Sequence, residues 1–296
     1  MNIIQIYQRF PTEKDCIIYL EGVRWKGNPI CPYCKSDNST AMPREDRHHC
    51  NNCNTSFSVT VGTIFHHTHI PLQKWLLAVT LVLNAKKGIS SRQLARDLEV
   101  NKDTAWSMQM RIRNAMHDQG ELLSGIVEMD ETYIGGKPRK GNNRDNDPEG
   151  DNKSKRGRGT DKIPVVGMVE RGGRVRAKMQ SKHKLKFKDL RRIVRENIDF
   201  AKSKLITDEY RGYSPFKHII DHETINHQVA YAIGNIHTNT IEGFWAILKR
   251  GIVGQYHKVS IQYLNRYIDE FCFRYNNRKN PDIFAYTITR ALGVTA

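Results

Sequence analysis

Two cysteine pairs constrain this chain most. Cys31-Pro32-Tyr33-Cys34 is followed, after fifteen residues, by Cys50-Asn51-Asn52-Cys53. Each C-x-x-C makes a tight knuckle that aims two thiolates at one point, and two knuckles complete a tetrahedron. The spacing predicts a zinc ribbon over residues 27–66. Four ligands close the coordination shell, so the metal is expected to be structural. His48 and His49 stand in the intervening loop as alternative ligands, although four cysteines suffice. Two redox-active cysteine pairs are the competing reading. Cys16 and Cys272 are isolated and read as small buried apolar residues.

The charge balance comes next. Lys and Arg number 47 against 31 Asp and Glu, a net of +16. Such an excess attracts polyanions, because phosphate contacts release counterions. No apolar run of about 18 residues is present, so no membrane span is expected. The N-terminus carries no secretory pattern, which points to the cytoplasm.

Residues 1–26 read as a helical lead-in. Residues 67–121 read as a helix-turn-helix module. Trp75, Leu76, Val79 and Val82 recur at helical spacing, and Gly88 breaks the run. Ser90 is an N-cap type of residue, Leu94 and Leu98 are four apart, and Glu99-Val100-Asn101 leads into a helix from Lys102 to Met116. In such a motif the second helix enters the major groove. Gln109, Arg111 and Arg113 are its candidate DNA contacts, with Lys102 and Thr104 near its start. A plain helical bundle with exposed charges fits the same layout.

The remainder, 122–296, alternates strands and helices. Ile126–Ile134 reads as a strand carrying Asp130 where an apolar residue would be usual. Residues 137–162 form a polar, basic loop. Its Lys155, Arg156 and Arg158 are candidates for a phosphate backbone, and a solvated linker is the other reading. A hairpin about Gly172-Gly173 follows, then a helix over Phe187–Ile198 and a short run, Lys204–Asp208, that ends in an acid. Glu223–His227 is a further candidate strand. From Ile241 onward, Phe244, Trp245, Leu248 and Ile252 make one apolar helical stripe, with Glu242 and Lys249 beside it. A last helix runs from about Ile261 to Arg278. This order suits an α/β fold, a mixed sheet flanked by helices. Were the two acid-ending strands neighbours, Asp130, Asp208 and Glu242 would converge. Glu128, Glu131 and Glu209 read as strand-end acids in solvent; Glu128 shares a face with Asp130 and is an alternative ligand.

Three motifs carry a resemblance. Asp130-Glu131-Thr132-Tyr133-Ile134-Gly135-Gly136, Thr207-Asp208-Glu209-Tyr210-Arg211-Gly212-Tyr213 and His237-Thr238-Asn239-Thr240-Ile241-Glu242-Gly243-Phe244-Trp245 resemble those of bacterial insertion-sequence transposases that couple a zinc ribbon to an RNase H-like catalytic domain. The resemblance spans nearly the whole chain. It implies that Asp130, Asp208 and Glu242 are a DDE-type acidic triad and that Lys249 is the basic residue found seven positions after the third acid. His237 and Asn239 are neighbours that could assist.

Chemistry agrees with that implication. Phosphodiester cleavage needs an activated oxygen and relief of charge on the leaving oxygen. Two Mg²⁺ ions, or Mn²⁺ in their place, do both, and carboxylates are their natural ligands. The expected partner is double-stranded DNA, both element ends and target, with assembly into a homo-oligomer on DNA and association with the nucleoid. A stand-alone nuclease of the same fold and a non-catalytic zinc-ribbon regulator are the rival readings.

Overall fold

Asn2 and Thr12 each start a helix by the same device. Their side chains accept from the backbone N–H three residues on, and Gln5 and Asp15 reach back to the cap N–H. The result is α1 (Ile3–Arg9) and α2 (Glu13–Trp25) in the computed structural model of the protein. The structure describes residues 1–117, 120–135, 162–181, 185–225 and 237–294. Two compact units emerge, Met1–His117 with Asn277–Ala296, and Asp118–Asn276.

In the first unit, β1 (Ser39–Met42), β2 (Arg47–Cys50) and β3 (Thr55–Phe57) form an antiparallel sheet. Next come α3 (Leu72–Asn84), α4 (Ser91–Leu98) and α5 (Lys102–Ala115). Helix α3 is buried along most of its length, from Trp75 to Leu83. It is the hub on which α1, α2, α4, α5 and the C-terminal helix α9 (Ile283–Ala291) pack. Helices α4 and α5 are joined by a short turn, residues 99–101. Ser90 caps α4, Glu99 turns the chain in the left-handed region at φ 51°, and Asn101 caps α5 with a 2.7 Å bond from the Thr104 N–H. The segment from Asn277 onward was expected with the second unit and instead lies in the first. Helix α9 had no forecast; Phe284, Ile288 and Ala291 on one face are buried.

The second unit holds a five-stranded sheet. Its strands are β4 (Leu123–Ile134), β5 (Ile163–Glu170), β6 (Val175–Met179), β7 (Ile198–Asp208) and β8 (Asp221–Ile225), in the order β6-β5-β4-β7-β8. Strand β5 runs antiparallel to both its neighbours, while β4, β7 and β8 are parallel. Helices α6 (Phe187–Asn197), α7 (Asn239–Arg250) and α8 (Ile261–Asn276) complete it. This is the mixed sheet flanked by helices that the sequence implied. Alternation along β4 sorts the faces. Val127 and Met129 meet Leu190, Ile193 and Val194 of α6 on one face. On the other, Val165 and Val169 of β5 meet Ile241, Phe244, Trp245 and Leu248 of α7 and Ile268 of α8.

Strand β7 is longer than the apolar run that announced it. Its first half, Ile198–Ser203, mixes the core residues Ile198 and Phe200 with polar, partly exposed ones, and pairing with the start of β4 makes it a strand. Strand β8 begins at Asp221 rather than Glu223, and Asn226 and His227 lie outside the described residues. So does the basic loop with Lys155, Arg156 and Arg158.

Gly167 is what lets α7 lie close on the sheet. It faces Asp130 across the β4–β5 ladder, and a Cβ there would stand 2.5 Å from Trp245 Cη2. Gly167→Ala is expected to destabilise the protein by about 1–3 kcal/mol, the cost of overpacking a filled site. Urea denaturation measures it, and an unchanged midpoint would mean that the indole has room to move.

Candidate active site and zinc cluster

The four cysteine sulfurs lie within 4.8 Å of one another. Cys34 Sγ is 3.5 Å from Cys50 Sγ, and Cys31 Sγ is 3.7 Å from Cys53 Sγ. A disulfide would need about 2.05 Å. With Zn–S bonds of about 2.3 Å, the edge of a tetrahedron is about 3.8 Å, so the spacing suits a zinc ion. The histidines are otherwise engaged. His48 Nε2 is 2.9 Å from Glu21 Oε1, and its ring stacks on Phe57 and meets Trp25 edge-on. His49 bonds Ser56 and Asn54. The cluster is therefore a structural zinc site of four cysteines.

The candidate helix-turn-helix contacts need correction. Gln109 and Arg113 are each only 1% exposed. Gln109 donates to the Ile89 carbonyl at 2.8 Å, and Arg111 donates to the carbonyls of Ile64 and His66. These side chains hold the bundle together rather than face outward. A polar residue that ties a buried helix to a loop carbonyl looks, in sequence, like one aimed at DNA. The exposed residues of α4 and the start of α5 are Arg92, Gln93, Arg96, Asp97, Lys102, Asp103 and Ser107.

In the second unit, β4 and β7 are neighbours and parallel, with Glu128 level with Ile206. Two residues further along each strand come Asp130 and Asp208, so both carboxylates belong to the same face, on strands about 4.8 Å apart. Asp130 Oδ1 accepts from the Glu131 N–H at 2.8 Å, and Oδ2 accepts from the Trp245 indole N–H at 3.1 Å. Burial, then the nearby charges of Glu131 and Asp208, push its carboxyl up to about 7. Asp208 ends β7 and accepts from the Tyr210 N–H.

Glu242 lies in the first turn of α7, exposed, and accepts from Thr238 Oγ1 at 3.0 Å. It is one turn before Trp245, the residue that touches Asp130, and such neighbours have Cβ atoms about 5–6 Å apart. The three acids are drawn to one side of the sheet, though not into a set whose oxygens all lie within 4.8 Å of one another; among the described residues only the cysteines form such a set. Lys249 is exposed in the last turn of α7.

Two acids read as solvated are buried. Glu128 is 0% exposed and Glu131 9%. Glu131 accepts from the Tyr213 hydroxyl on the α6 face. Glu128 accepts from the backbone N–H groups of Thr240 and Ile241 and from Arg171. Glu209 is exposed, as expected, and so is Asn239. Sequence reading missed Trp245 and Gly167 as partners of Asp130. Trp245 belonged to the apolar stripe, and nothing in that stripe singles out the residue whose N–H meets an acid.

Comparison with known proteins gives the family. The model of the ISXO2-like transposase domain matches residues 122–276, and that of the transposase zinc-ribbon domain matches residues 11–56. The chain thus belongs to the ISXO2-like transposase family, the insertion-sequence transposases with an N-terminal zinc ribbon. A relative from Halobacterium salinarum, an uncharacterized protein in transposable element ISH50, is 27% identical over 281 residues, covering 92% of this chain and 94% of its own. Among solved structures, the Mos1 strand transfer complex aligns with a TM-score of 0.31 at 13% identity, over 74% of this chain and 75% of that one. The pre-cleavage Mos1 transpososome aligns with a TM-score of 0.28 at 13% identity, over 74% and 79%. No helix among the described residues is long and apolar enough to cross a membrane.

Two outcomes are expected. Cys31→Ser, at a fully buried ligand, should drop zinc content from one per chain to well below it and unfold the ribbon, since structural zinc carries folding free energy of about 10 kcal/mol or more. A folded, zinc-free variant would contradict the assignment. The second concerns pH. Unfolded, an aspartate titrates near 3.9; folded, Asp130 keeps its proton up to about 7. The folded chain binds more protons in that window, so stability falls as pH rises through it. Asp130→Asn should therefore be the more stable chain at pH 8, by about 1–2 kcal/mol after solvent screening, with a smaller gap at pH 5.5. Urea titrations at the two pH values, with zinc as the only divalent ion, measure the gap.

Proposed function

We propose that this transposase cuts DNA at the ends of its element and joins the freed 3′ ends to target DNA in one active site formed by Asp130, Asp208 and Glu242. The observation that carries this reading is the level placement of Asp130 and Asp208 on adjacent parallel strands, beneath a helix pinned to Asp130 through Trp245. The donor set fits Mg²⁺ or Mn²⁺. It is all hard oxygen, and the Asp130 carboxyl, raised first by burial and then by the charges of Glu131 and Asp208, marks a place where a cation would relieve the cost of ionisation. Two such ions, when bound, would supply charge neutralisation at the attacking and leaving oxygens.

The chain's own residues do the rest. Asp130 and Asp208 hold fixed positions on rigid strands, which favours in-line alignment of the reacting oxygens. Lys249 offers its exposed ammonium to a phosphate two turns from Glu242. In the helix-turn-helix, the N-terminal residues of the second helix meet base edges, so Lys102, Asp103 and Ser107 replace Gln109 and Arg113 as candidates there. Arg92 and Arg96, both exposed, are candidates for backbone phosphates. Lys155, Arg156 and Arg158 are assigned to the DNA backbone from sequence alone. Joining two ends calls for more than one copy on the DNA.

The test is an in vitro assay on DNA flanking the gene. Wild type with Mg²⁺ is expected to give cleaved ends and strand-transfer products, and Asp130→Asn neither, while gel-shift binding of the same DNA stays within about twofold. Full activity in Asp130→Asn would remove the mechanism. Cleavage without joining would make the protein a nuclease of this fold.

A further inference from the structure

Glu128 stands two residues before Asp130 on the same face of β4 and has no solvent exposure. A carboxylate in that position must be compensated, since an isolated buried charge costs several kcal/mol. Its partners come from α7 and the residues just before it. Oε2 accepts from the backbone N–H of Thr240 at 2.8 Å and of Ile241 at 3.0 Å, and Oε1 from Thr240 Oγ1 at 2.8 Å. Those amides belong to the first turn of α7, whose N–H groups have no partner within the helix. Arg171 closes the other side. Its Nε donates to Glu128 Oε1 at 2.7 Å and its Nη2 to the His237 carbonyl at 2.9 Å, so one guanidinium ties the carboxylate to the chain entering the helix. His237 Nδ1 approaches Oε1 to 3.3 Å.

We propose that Glu128 is a positioning residue whose buried carboxylate locks the first turn of α7 to β4 and thereby sets the reach of Glu242 toward Asp130. Glu242 follows Ile241 directly, so the carboxylate grips the helix one residue before the third acid. Trp245 grips Asp130 one turn further on. The strand is thus joined to the helix on both sides of Glu242, and the separation of the acids on β4 and α7 cannot change unless one of these contacts breaks. The inference rests on the cation-binding reading of the three acids, which the experiment tests apart.

Mn²⁺ binding to the full-length, zinc-loaded protein is followed by electron paramagnetic resonance, with folding checked by circular dichroism and zinc content. Asp130→Asn should lose the site. Retention of wild-type binding there would overturn the cation-site reading, whatever Glu128 does. Glu128→Gln should weaken Mn²⁺ binding about 10- to 100-fold, as loss of a group orienting metal ligands does. Thr240→Val removes a single hydrogen bond and should weaken it about 3- to 10-fold, and it decides the question where Glu128→Gln does not fold. Ile193→Val, on the opposite face of the sheet, should bind Mn²⁺ as wild type does. Wild-type affinity in a folded Glu128→Gln or in Thr240→Val would overturn the inference, and so would equal weakening in Ile193→Val.

Discussion

The attachment of α7 to the centre of the sheet is the contact on which the second unit depends, because it covers a place where acids are buried together. Asp130 and Asp208 share the α7 face, with Glu131 next in sequence on the other, and burial makes their mutual repulsion stronger than it would be in water. Two unit charges about 5 Å apart repel by about 3 kcal/mol at an effective dielectric of 20. Against this stand Ile241, Phe244, Trp245 and Leu248, all buried, each contributing about 1.5–3 kcal/mol through removal from water. Apolar burial exceeds the repulsion, and the acids stay together without any cation. Asp130 lessens the cost further by keeping its proton toward neutral pH.

Polar contacts then fix the helix where apolar contacts only hold it. A greasy stripe slides easily along a sheet, because many registers bury similar area. The Trp245 indole lies over Gly167, which has no side chain to block it, and its N–H meets Asp130. Glu128 adds a second fixed point at the helix start. Burying a carboxylate adds little net stability, since desolvation offsets much of the gain, but a wrong register would leave it unpaired. Specificity of placement is what such a group supplies.

The same distinction explains what the sequence disclosed and what it hid. Asp130, Asp208 and Glu242 were legible because each interrupts or flanks an apolar pattern and so stands out as costly. The cysteine spacing was legible because a metal imposes geometry at short range. Glu128 was not, since its partners lie 112 and 113 residues along the chain and backbone amides have no side-chain signature. Gln109 and Arg113 misled for a related reason. Helix α5 packs against α3, α4 and α9, and a helix covered on several sides buries some of its polar residues; the bond of Gln109 to the Ile89 carbonyl is one that no periodicity records. Helix α9 itself follows the catalytic unit in sequence yet packs with the N-terminal one, a long-range choice that local pattern does not encode.

The N-terminal unit meets a different constraint, that of size. Its strands are three or four residues long, too short to bury a core of their own. The cysteine cluster supplies covalent-like closure at one end of the ribbon, and Trp25, His48 and Phe57 stack to close the other. His48 illustrates how the two ends divide the labour. Sitting between ligands Cys34 and Cys50 in sequence, it could have completed the metal shell. Pairing with Glu21 and stacking on Phe57 instead turns it toward α2. One imidazole thus anchors the ribbon to a helix, and the metal is left to four thiolates, the set that holds zinc most firmly closed and leaves it no open position for chemistry.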